Sequence, residues 1–252
     1  MRSLVLSTLH TAITLVVALI IQATAGAAEV AGIDTTKTLG PGISVNIKKR
    51  EVYMDATICL RRGILEYLIC KARTFEHESI FSTDCKPSQL HMALLLVGFE
   101  PYPYSADVEW TASVREHKSS QLAVDIEFEQ DGTTQRRRIS ELLVNRERKD
   151  GLTPDNWVFT GSVFYQRDGI ELYAADSTGA VIGVTPKGAS VVQIGVRLGV
   201  PYQGEEQGLE SNERKVPAVG TKVRVIFSAP DEQPRQSGQA IREERLPVKD
   251  KP

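Results

Sequence analysis

The sequence is poor in the residues that most often carry out chemistry, with three cysteines and four histidines among 252 residues. It contains no C-x2-C pair, and an iron–sulfur cluster takes four cysteine ligands, so a ferredoxin-like cluster is excluded. Ser162, in the stretch TGSVF, lacks the G-x-S-x-G pattern of a serine nucleophile. No glycine-rich phosphate loop is present. We therefore predict no catalytic residue and leave open whether the protein is an enzyme.

The chain also lacks an excess of either charge. Thirty basic and 32 acidic residues give a formal net charge of −2. The densest basic run, at residues 136–138, follows a predicted turn at Asp131-Gly132 and is interpreted as the solvated end of a strand. Because no basic patch dominates, we do not expect nucleic acid as a partner.

Only one long apolar run is present, and it lies at the N-terminus. Arg2 precedes an apolar stretch over residues 4–21, and small residues follow. This order is typical of a secretory signal peptide cleaved after Ala25 or Ala27, and a retained membrane anchor is the alternative. No cysteine lies near the cleavage site, which argues against a lipid anchor. We predict that residues 1–27 are the signal peptide, that no membrane span remains after cleavage, and that the protein is secreted or periplasmic.

Composition divides the rest of the chain into three parts. Residues 28–43 are interpreted as an extended leader. Residues 44–228 contain the regular apolar patterns and are predicted to form a single β-rich domain. Residues 229–252 are charged and contain almost no apolar side chains, so we predict that this C-terminal tail is disordered.

Alternation of apolar and polar residues predicts a mainly β structure. In residues 51–60 every second side chain is apolar, and residues 61–63 predict a turn into a partner strand over residues 64–72. Residues 87–97 predict the main helix, whose apolar stripe is Leu90, Ala93, Leu94 and Val97. Further strands are predicted at residues 108–114, 122–128, 156–165, 170–175, 180–185, 190–196 and 221–227. The predicted fold is α+β, mainly antiparallel β in a sandwich or barrel-like arrangement, with one main helix packed on the N-terminal hairpin.

All three cysteines fall within residues 58–85, where they form the strongest candidate for a site. The residue types are those of a zinc or iron site, although their spacing is wider than in common zinc motifs. Two alternatives stay open, namely a disulfide that includes Cys85 and free buried thiols. The candidate metal ligands are Cys59, Cys70, His77 and Cys85, and the candidate polar residues beside them are Glu66 and Glu78.

The predicted hairpin keeps Cys59 and Cys70 apart. If residues 61–63 form the turn, the two side chains point to opposite faces, because side chains alternate along a strand. A four-residue loop places them on one face but about 13 Å apart along the strand. A disulfide needs Cα atoms within about 7 Å. We therefore predict that Cys59 and Cys70 are not bonded to each other.

A series of motifs resembles the YdjY-like family of secreted bacterial proteins over about residues 42–228. These motifs are RRGILEYLICKARTFEHESIFS, LHMALLLVGFEP, WVFTGS, YAADSTGAVIGV and VPAVGTKVRV. Their order, rather than any one of them, carries the resemblance. The resemblance implies an exported β-rich domain, and it implies no specific activity.

The sequence therefore favours a non-catalytic, extracytoplasmic binding or assembly module. Its expected partner is an extracytoplasmic protein or a component of the cell envelope. Such a module predicts exposed apolar residues on one sheet face or edge and no convergent polar pocket. The alternative function is a metal- or thiol-dependent site built around Cys70 and His77.

Overall fold

Sixteen β-strands, three α-helices and three short 3-10 helices make up the part of the chain that the structure, a computed structural model, describes. That part comprises residues 35–107, 109–147, 149, 156–185, 188–196, 198 and 208–230. The strands are β1 (Thr36–Gly40), β2 (Ile43–Asn46), β3 (Glu51–Ile58), β4 (Ile64–Leu65), β5 (Tyr67–Lys71), β6 (Phe81–Thr83), β7 (Gln121–Gln130), β8 (Thr133–Arg138), β9 (Leu143–Asn145), β10 (Trp157–Phe159), β11 (Phe164–Arg167), β12 (Ile170–Tyr173), β13 (Ala180–Gly183), β14 (Val192–Ile194), β15 (Leu209–Ser211) and β16 (Lys222–Ser228). The α-helices are α1 (Pro87–Leu96), α2 (Trp110–Glu116) and α3 (Ala174–Thr178), and the 3-10 helices are Glu76–Glu78, Lys118–Ser120 and Ile139–Leu142.

Eight strands close into a barrel. The hydrogen-bonded order is β3, β16, β7, β10, β14, β13, β5 and β6, and β6 pairs with β3 to complete the circle. All of these pairings are antiparallel except β5 with β6 and β13 with β14. Strands β1 and β2 extend the sheet beyond β3, and β8 pairs with residues 125–130, the C-terminal half of β7. The prediction of an α+β, mainly antiparallel, barrel-like fold is confirmed.

The barrel interior is filled by the apolar side of each alternating strand. In β3 the alternate residues Val52, Met54, Ala56 and Ile58 are buried, as the sequence pattern predicts. Strands β7 and β16 add their own buried apolar residues to the same core. The opposite faces of β3, β16 and β7 carry most of the polar and charged residues of these strands. Closure removes free strand edges from the barrel, which protects it from edge-to-edge association.

Helix α1 has almost the predicted bounds and buries the predicted stripe. Leu90, Ala93, Leu94 and Val97 are all at most 3% exposed. The helix ends where Gly98 adopts a left-handed conformation, with φ of 86°. It packs against β1, β2 and β3. The main helix therefore lies on an N-terminal hairpin, which is formed by β2 and β3.

The predicted pairing of residues 51–60 with residues 64–72 is wrong. Strand β6 lies between β3 and β5, and its residue Ser82 is paired with Thr57 on one side and Cys70 on the other. Strand β5 is apolar on both faces, which is typical of a buried strand in a partly parallel arrangement. Alternation fixes which face of a strand is buried, and it does not select the neighbouring strand. Residues 64 and 65 instead form β4, which pairs with β15.

The predicted strand over residues 108–114 is also wrong, because residues 110–116 form helix α2. Trp110 and Val114 are buried and lie four residues apart, which is a helical spacing as well as an alternating one. The Trp110 indole nitrogen donates a hydrogen bond to the Pro103 carbonyl oxygen at 2.8 Å. A short run of residues that fits both the helical and the alternating spacing does not distinguish a helix from a strand.

The predicted strand over residues 156–165 is interrupted at residues 160–163, and the predicted strand over 170–175 ends at Tyr173. The Asp131-Gly132 and Asp168-Gly169 turns are both present, with positive φ at all four residues. Part of the predicted leader is strand β1. The predicted signal peptide, residues 28–34 of the leader and residues 231–252 of the tail lie outside the described residues. Within the residues that the structure describes, no helix is both long enough and apolar enough to cross a bilayer.

Candidate functional site

The structure brings two of the candidate ligands, Cys59 and Cys70, together. Cys59 follows β3, and its backbone N–H donates to the Ile80 carbonyl oxygen at 2.9 Å. Cys70 lies in β5, opposite Ser82 of β6. Each of these two thiols perturbs the pKa of the other across β6. The prediction that Cys59 and Cys70 are not bonded to each other is confirmed, because both cysteines are free thiols in this structure. The hairpin register from which we derived it is wrong, because β6 lies between the two strands.

A short crossover from β5 to β6 covers this thiol pair. It contains the 3-10 helix Glu76–Glu78 and is held by stacking of Phe75 on Tyr67, whose ring centroids are 4.5 Å apart. The Thr74 hydroxyl donates to the Lys71 carbonyl oxygen at 2.6 Å, and the Ser79 hydroxyl donates to the Phe75 carbonyl oxygen at 2.7 Å. As a result Cys70 is fully buried, whereas Cys59 is partly exposed.

The two thiols are inequivalent as acids. The neighbouring Cys59 thiol lowers the pKa of Cys70 to about 7, even though burial acts in the opposite direction. Hydrogen bonding with Cys70, followed by burial, raises the pKa of Cys59 above the usual range for a thiol. The Cys59 sulfur also lies 3.1 Å from the Ser79 carbonyl oxygen, to which it donates.

His77 and the two candidate carboxylates lie on the outside of the crossover. The His77 side chain is 76% exposed, and its Nε2 atom lies 3.9 Å from Glu78 Oε1. The Glu66 backbone N–H donates to the Glu78 carbonyl oxygen at 3.2 Å. Burial, and then the charges of Glu66 and Glu78, raise the pKa of Tyr67 to about 12. Glu66 and Glu78 therefore lie near Tyr67, while the His77 side chain is exposed to solvent.

Cys85 has a different environment from the thiol pair. Its thiol donates to the Gly42 carbonyl oxygen at 3.1 Å, near the turn between β1 and β2. Burial raises the pKa of Cys85. Among the described residues, no group of three or more histidine, cysteine, aspartate and glutamate side chains is arranged to hold a metal ion. Zinc or iron binding stays a prediction from the sequence.

A trough of about 1000 Å³ lies on the outer face of the barrel. Its floor is formed by β3, β16 and β7, and its walls include the turn between β1 and β2, the start of α1, and β8. The expectation that no polar groups converge is therefore wrong, because charged side chains line this trough. They are Asp55, Asp84, Lys86, Glu127, Glu129, Lys222 and Arg224.

The floor of the trough alternates in charge from strand to strand. Arg224 of β16 is paired with Asp55 on β3 and with Glu127 on β7. Its guanidinium carbon lies 5.9 Å from the centroid of the Tyr53 ring. The Lys222 ammonium donates to the Thr57 hydroxyl at 2.9 Å. This arrangement suits a ligand that carries both positive and negative groups.

The hairpin formed by β11 and β12 presents apolar side chains to solvent. Within the described residues its two strands pair only with each other. Alternation places Val163, Tyr165, Ile170 and Leu172 on one face, and Phe164 on the other. Phe164 is 63% exposed, Ile170 is 62% exposed, and Val163 is 48% exposed. Exposed apolar residues at a sheet edge are the feature that the sequence predicts for a binding module.

A histidine at the base of this hairpin was not singled out by the sequence. His91 Nδ1 lies 2.8 Å from the Tyr173 hydroxyl oxygen, and that hydroxyl donates to the Gly161 carbonyl oxygen at 2.9 Å. The His91 ring packs edge-on against Phe159, with centroids 5.0 Å apart. Burial lowers the pKa of His91. The contacts link helix α1 to the hairpin.

The loop before the hairpin contains two left-handed residues. Gly161 has φ of 79°, and Ser162, which is not a glycine, has φ of 58°. The Ser162 hydroxyl donates to the Ala189 carbonyl oxygen at 2.6 Å and accepts from the Ala175 N–H at 3.1 Å. The hydroxyl thus fixes the loop that sets the direction of the hairpin. Gly161-Ser162 is the sequence signal that could have indicated a break in the predicted strand.

Comparison with known proteins identifies one family. The model of the YdjY domain matches residues 43–228. No curated protein and no solved structure matches the chain.

Proposed function

Since the chain belongs to the YdjY-domain family through most of its length, and since its β11–β12 hairpin presents a solvent-exposed apolar face, we propose that it is an exported, non-catalytic binding module that docks a partner protein through this hairpin. The signal peptide predicted at residues 1–27 supports export. The exposed hairpin is the observation that carries the docking proposal.

Four apolar side chains of the hairpin lie on one face, and Phe164 lies on the other. Tyr165 is paired with Leu172, while Val163 and Ile170 lie on the same face of the same two strands. Covering large apolar side chains yields about 1.5–3 kcal/mol for each that becomes fully buried. Isolated two-stranded hairpins are at best marginally stable in water. Docking therefore stabilises both the hairpin and the complex.

The partner that this surface fits is a protein with a strand edge of its own. Both β11 and β12 have one side without a paired strand in the described part of the chain. Unpaired backbone N–H and C=O groups bind an added strand, and the apolar side chains then give the contact its specificity. Arg167, Asp168 and Glu171 at the tip supply charges at the rim of the contact.

Photo-crosslinking in the producing cell tests this proposal. A photoreactive amino acid at Ile170 should give one discrete adduct with another exported protein. The same amino acid at Thr133, which is exposed beside the equivalent Asp-Gly turn of β8, is the matched control and should give none. The adduct at Ile170 should be lost when Val163→Asp places a charge on the apolar face.

Three results would contradict the docking proposal. An adduct of twice the mass of the chain would assign the hairpin to self-association. An adduct that persists with Val163→Asp but is lost with Arg224→Glu would assign binding to the trough. Equal labelling at Ile170 and Thr133 would show no specific contact. Export is tested separately by N-terminal sequencing of the mature protein, which should begin at residue 26 or 28, and a chain that begins at Met1 would contradict it.

A further inference from the structure

Helix α1 has a second apolar face, which is exposed to solvent. Met92, Leu95 and Leu96 are separated by three and four residues, so they share one face of the helix, opposite the buried stripe that contains Leu90 and Leu94. Met92 is 62% exposed, Leu95 is 45% exposed and Leu96 is 53% exposed. A continuous apolar patch of this kind, unlike a single exposed side chain, marks a surface that binds a partner or a membrane.

The turn between β2 and β3 is attached to the C-terminal end of this helix. The Arg50 guanidinium donates to the Val97 carbonyl oxygen at 3.1 Å and to the Gly98 carbonyl oxygen at 2.7 Å. Residues 47–50 are Ile-Lys-Lys-Arg, and all four are exposed. The turn therefore brings one apolar and two lysine side chains to the end of the exposed face of α1. We refer to Met92, Leu95, Leu96 and residues 47–50 as the α1–turn surface.

The charge of the α1–turn surface is positive. Three basic residues lie in the turn, and the sequence of helix α1 contains no acidic residue. The acidic residue that follows the turn, Glu51, accepts a hydrogen bond from the Tyr53 hydroxyl. Apolar side chains bordered by lysine and arginine are typical of proteins that lie on an anionic bilayer, because the apolar groups enter the headgroup region while the basic groups attract lipid phosphates.

From this combination we propose that the α1–turn surface binds the surface of an anionic phospholipid bilayer. The apolar side chains of α1 enter the headgroup region, and Lys48 and Lys49 contact lipid phosphates. Arg50 instead holds the turn against the helix, so that both parts of the surface meet the bilayer together. This inference goes beyond the docking of a partner protein, which uses the β11–β12 hairpin.

The path of the chain also favours a bilayer over other partners. Thr36, where β1 begins, is paired with Asn46, the residue before the basic turn. The chain therefore reaches the barrel beside the α1–turn surface. The apolar run that we predict to be the signal peptide precedes β1 in the sequence, so this is the part of the domain that export tethers to the membrane.

Flotation with lipid vesicles tests this inference. The chain, purified as the producing cell exports it, is mixed with vesicles of phosphatidylcholine alone or of phosphatidylcholine and phosphatidylglycerol in equal amounts. We expect binding to the anionic vesicles only, and release at high salt. Lys48→Gln combined with Lys49→Gln should weaken binding about 25-fold, because each lysine near an anionic surface contributes about five-fold. Met92→Gln combined with Leu96→Gln should weaken it by at least about 10-fold, because the buried apolar area is lost.

The matched controls change the same kinds of residue at the opposite end of β3. Arg61, which follows β3, donates to the Glu213 carbonyl oxygen at 2.9 Å. The next two residues, Arg214 and Lys215, are exposed, and Val219 is 60% exposed. Arg214→Gln combined with Lys215→Gln should leave vesicle binding unchanged, and so should Val219→Gln.

Fluorescence quenching measures insertion without weakening the surface. Leu96→Trp places an indole on the α1–turn surface, whereas the native Trp110 and Trp157 are at most 5% exposed. Anionic vesicles with brominated acyl chains should quench the fluorescence of Leu96→Trp and should not quench that of Val219→Trp. Circular dichroism checks that each variant is folded.

Four results would overturn the inference. They are absence of binding to anionic vesicles, equal binding to neutral and anionic vesicles, unchanged binding after the two lysine replacements, and equal quenching of Leu96→Trp and Val219→Trp. A dimer in solution that Met92→Gln with Leu96→Gln dissociates would also overturn it, because the apolar face would then be covered by a second copy of the chain.

Discussion

His91 couples protonation to the junction between helix α1 and hairpin β11–β12. Its Nδ1 atom contacts the Tyr173 hydroxyl, and its ring edge packs on Phe159. Burial lowers the pKa of the folded histidine below its ordinary value of 6.5. The unfolded chain therefore takes up a proton at a higher pH than the folded chain does, and acid favours unfolding.

We expect the free energy of unfolding to fall as the pH decreases from about 6.5 toward the lower pKa of the folded state. Above that window, where His91 is neutral in both states, it adds no pH dependence. Replacing His91 with Gln should remove this contribution to the slope of the free energy of unfolding against pH. His117→Gln, at a partly exposed position, is the control and should leave it in place. Urea unfolding at a series of pH values measures both, and an unchanged slope in His91→Gln would contradict the assignment.

At the scale of elements, two hairpins with the same turn differ in how they join the barrel. The β7–β8 turn, Asp131-Gly132, and the β11–β12 turn, Asp168-Gly169, have nearly the same φ angles. A side chain added at either glycine would meet no neighbouring atom within 4 Å. Strand β7 belongs to the barrel, whereas β11 and β12 pair only with each other among the described strands.

Gly132→Ala and Gly169→Ala should therefore have different effects, although the local strain is the same. Placing alanine in a left-handed conformation costs about 1–2 kcal/mol. We expect Gly132→Ala to lower the free energy of global unfolding by about that amount. Gly169→Ala should change it by less than about 0.5 kcal/mol and should instead speed amide exchange within the hairpin. Equal global losses would show that the hairpin folds together with the barrel.

The sequence pattern predicted individual strands and helices better than it predicted which strands pair with each other. The alternation of β3 and the stripe of helix α1 are both found, because each follows from one buried face. The insertion of β6 between β3 and β5 could not be read from local pattern, since pairing depends on contacts distant in sequence. That error in pairing is also why we did not predict that Cys59 and Cys70 share one environment beside β6. The trough was missed for the same reason, because its floor combines strands from three separate parts of the chain.

For the whole molecule, the last strand that the structure describes holds a central place in the barrel. Residues 222–228 form β16, which pairs with β3 on one side and β7 on the other. Its alternate residues Val223, Val225 and Phe227 are in the core. The sequence beyond residue 230 contains few apolar residues with which to offset an ordering cost of about 1–2 kcal/mol per residue.

Ending the chain after Ser228 should therefore leave the thermal midpoint within about 4 °C of the full chain, the shift that about 1 kcal/mol produces in a domain of this size. Ending it after Thr221 is the control, and removal of β16 should abolish cooperative unfolding altogether. Calorimetry on both proteins measures the difference. A larger loss from the first truncation would mean that the tail packs on the domain.

The central position of β16 also determines when the barrel can close. Among the described strands, the one that joins β3 to β7 is synthesised last, and until then β3 and β7 have no partner at that position. The N-terminal strands consequently wait for β16 before the barrel can close.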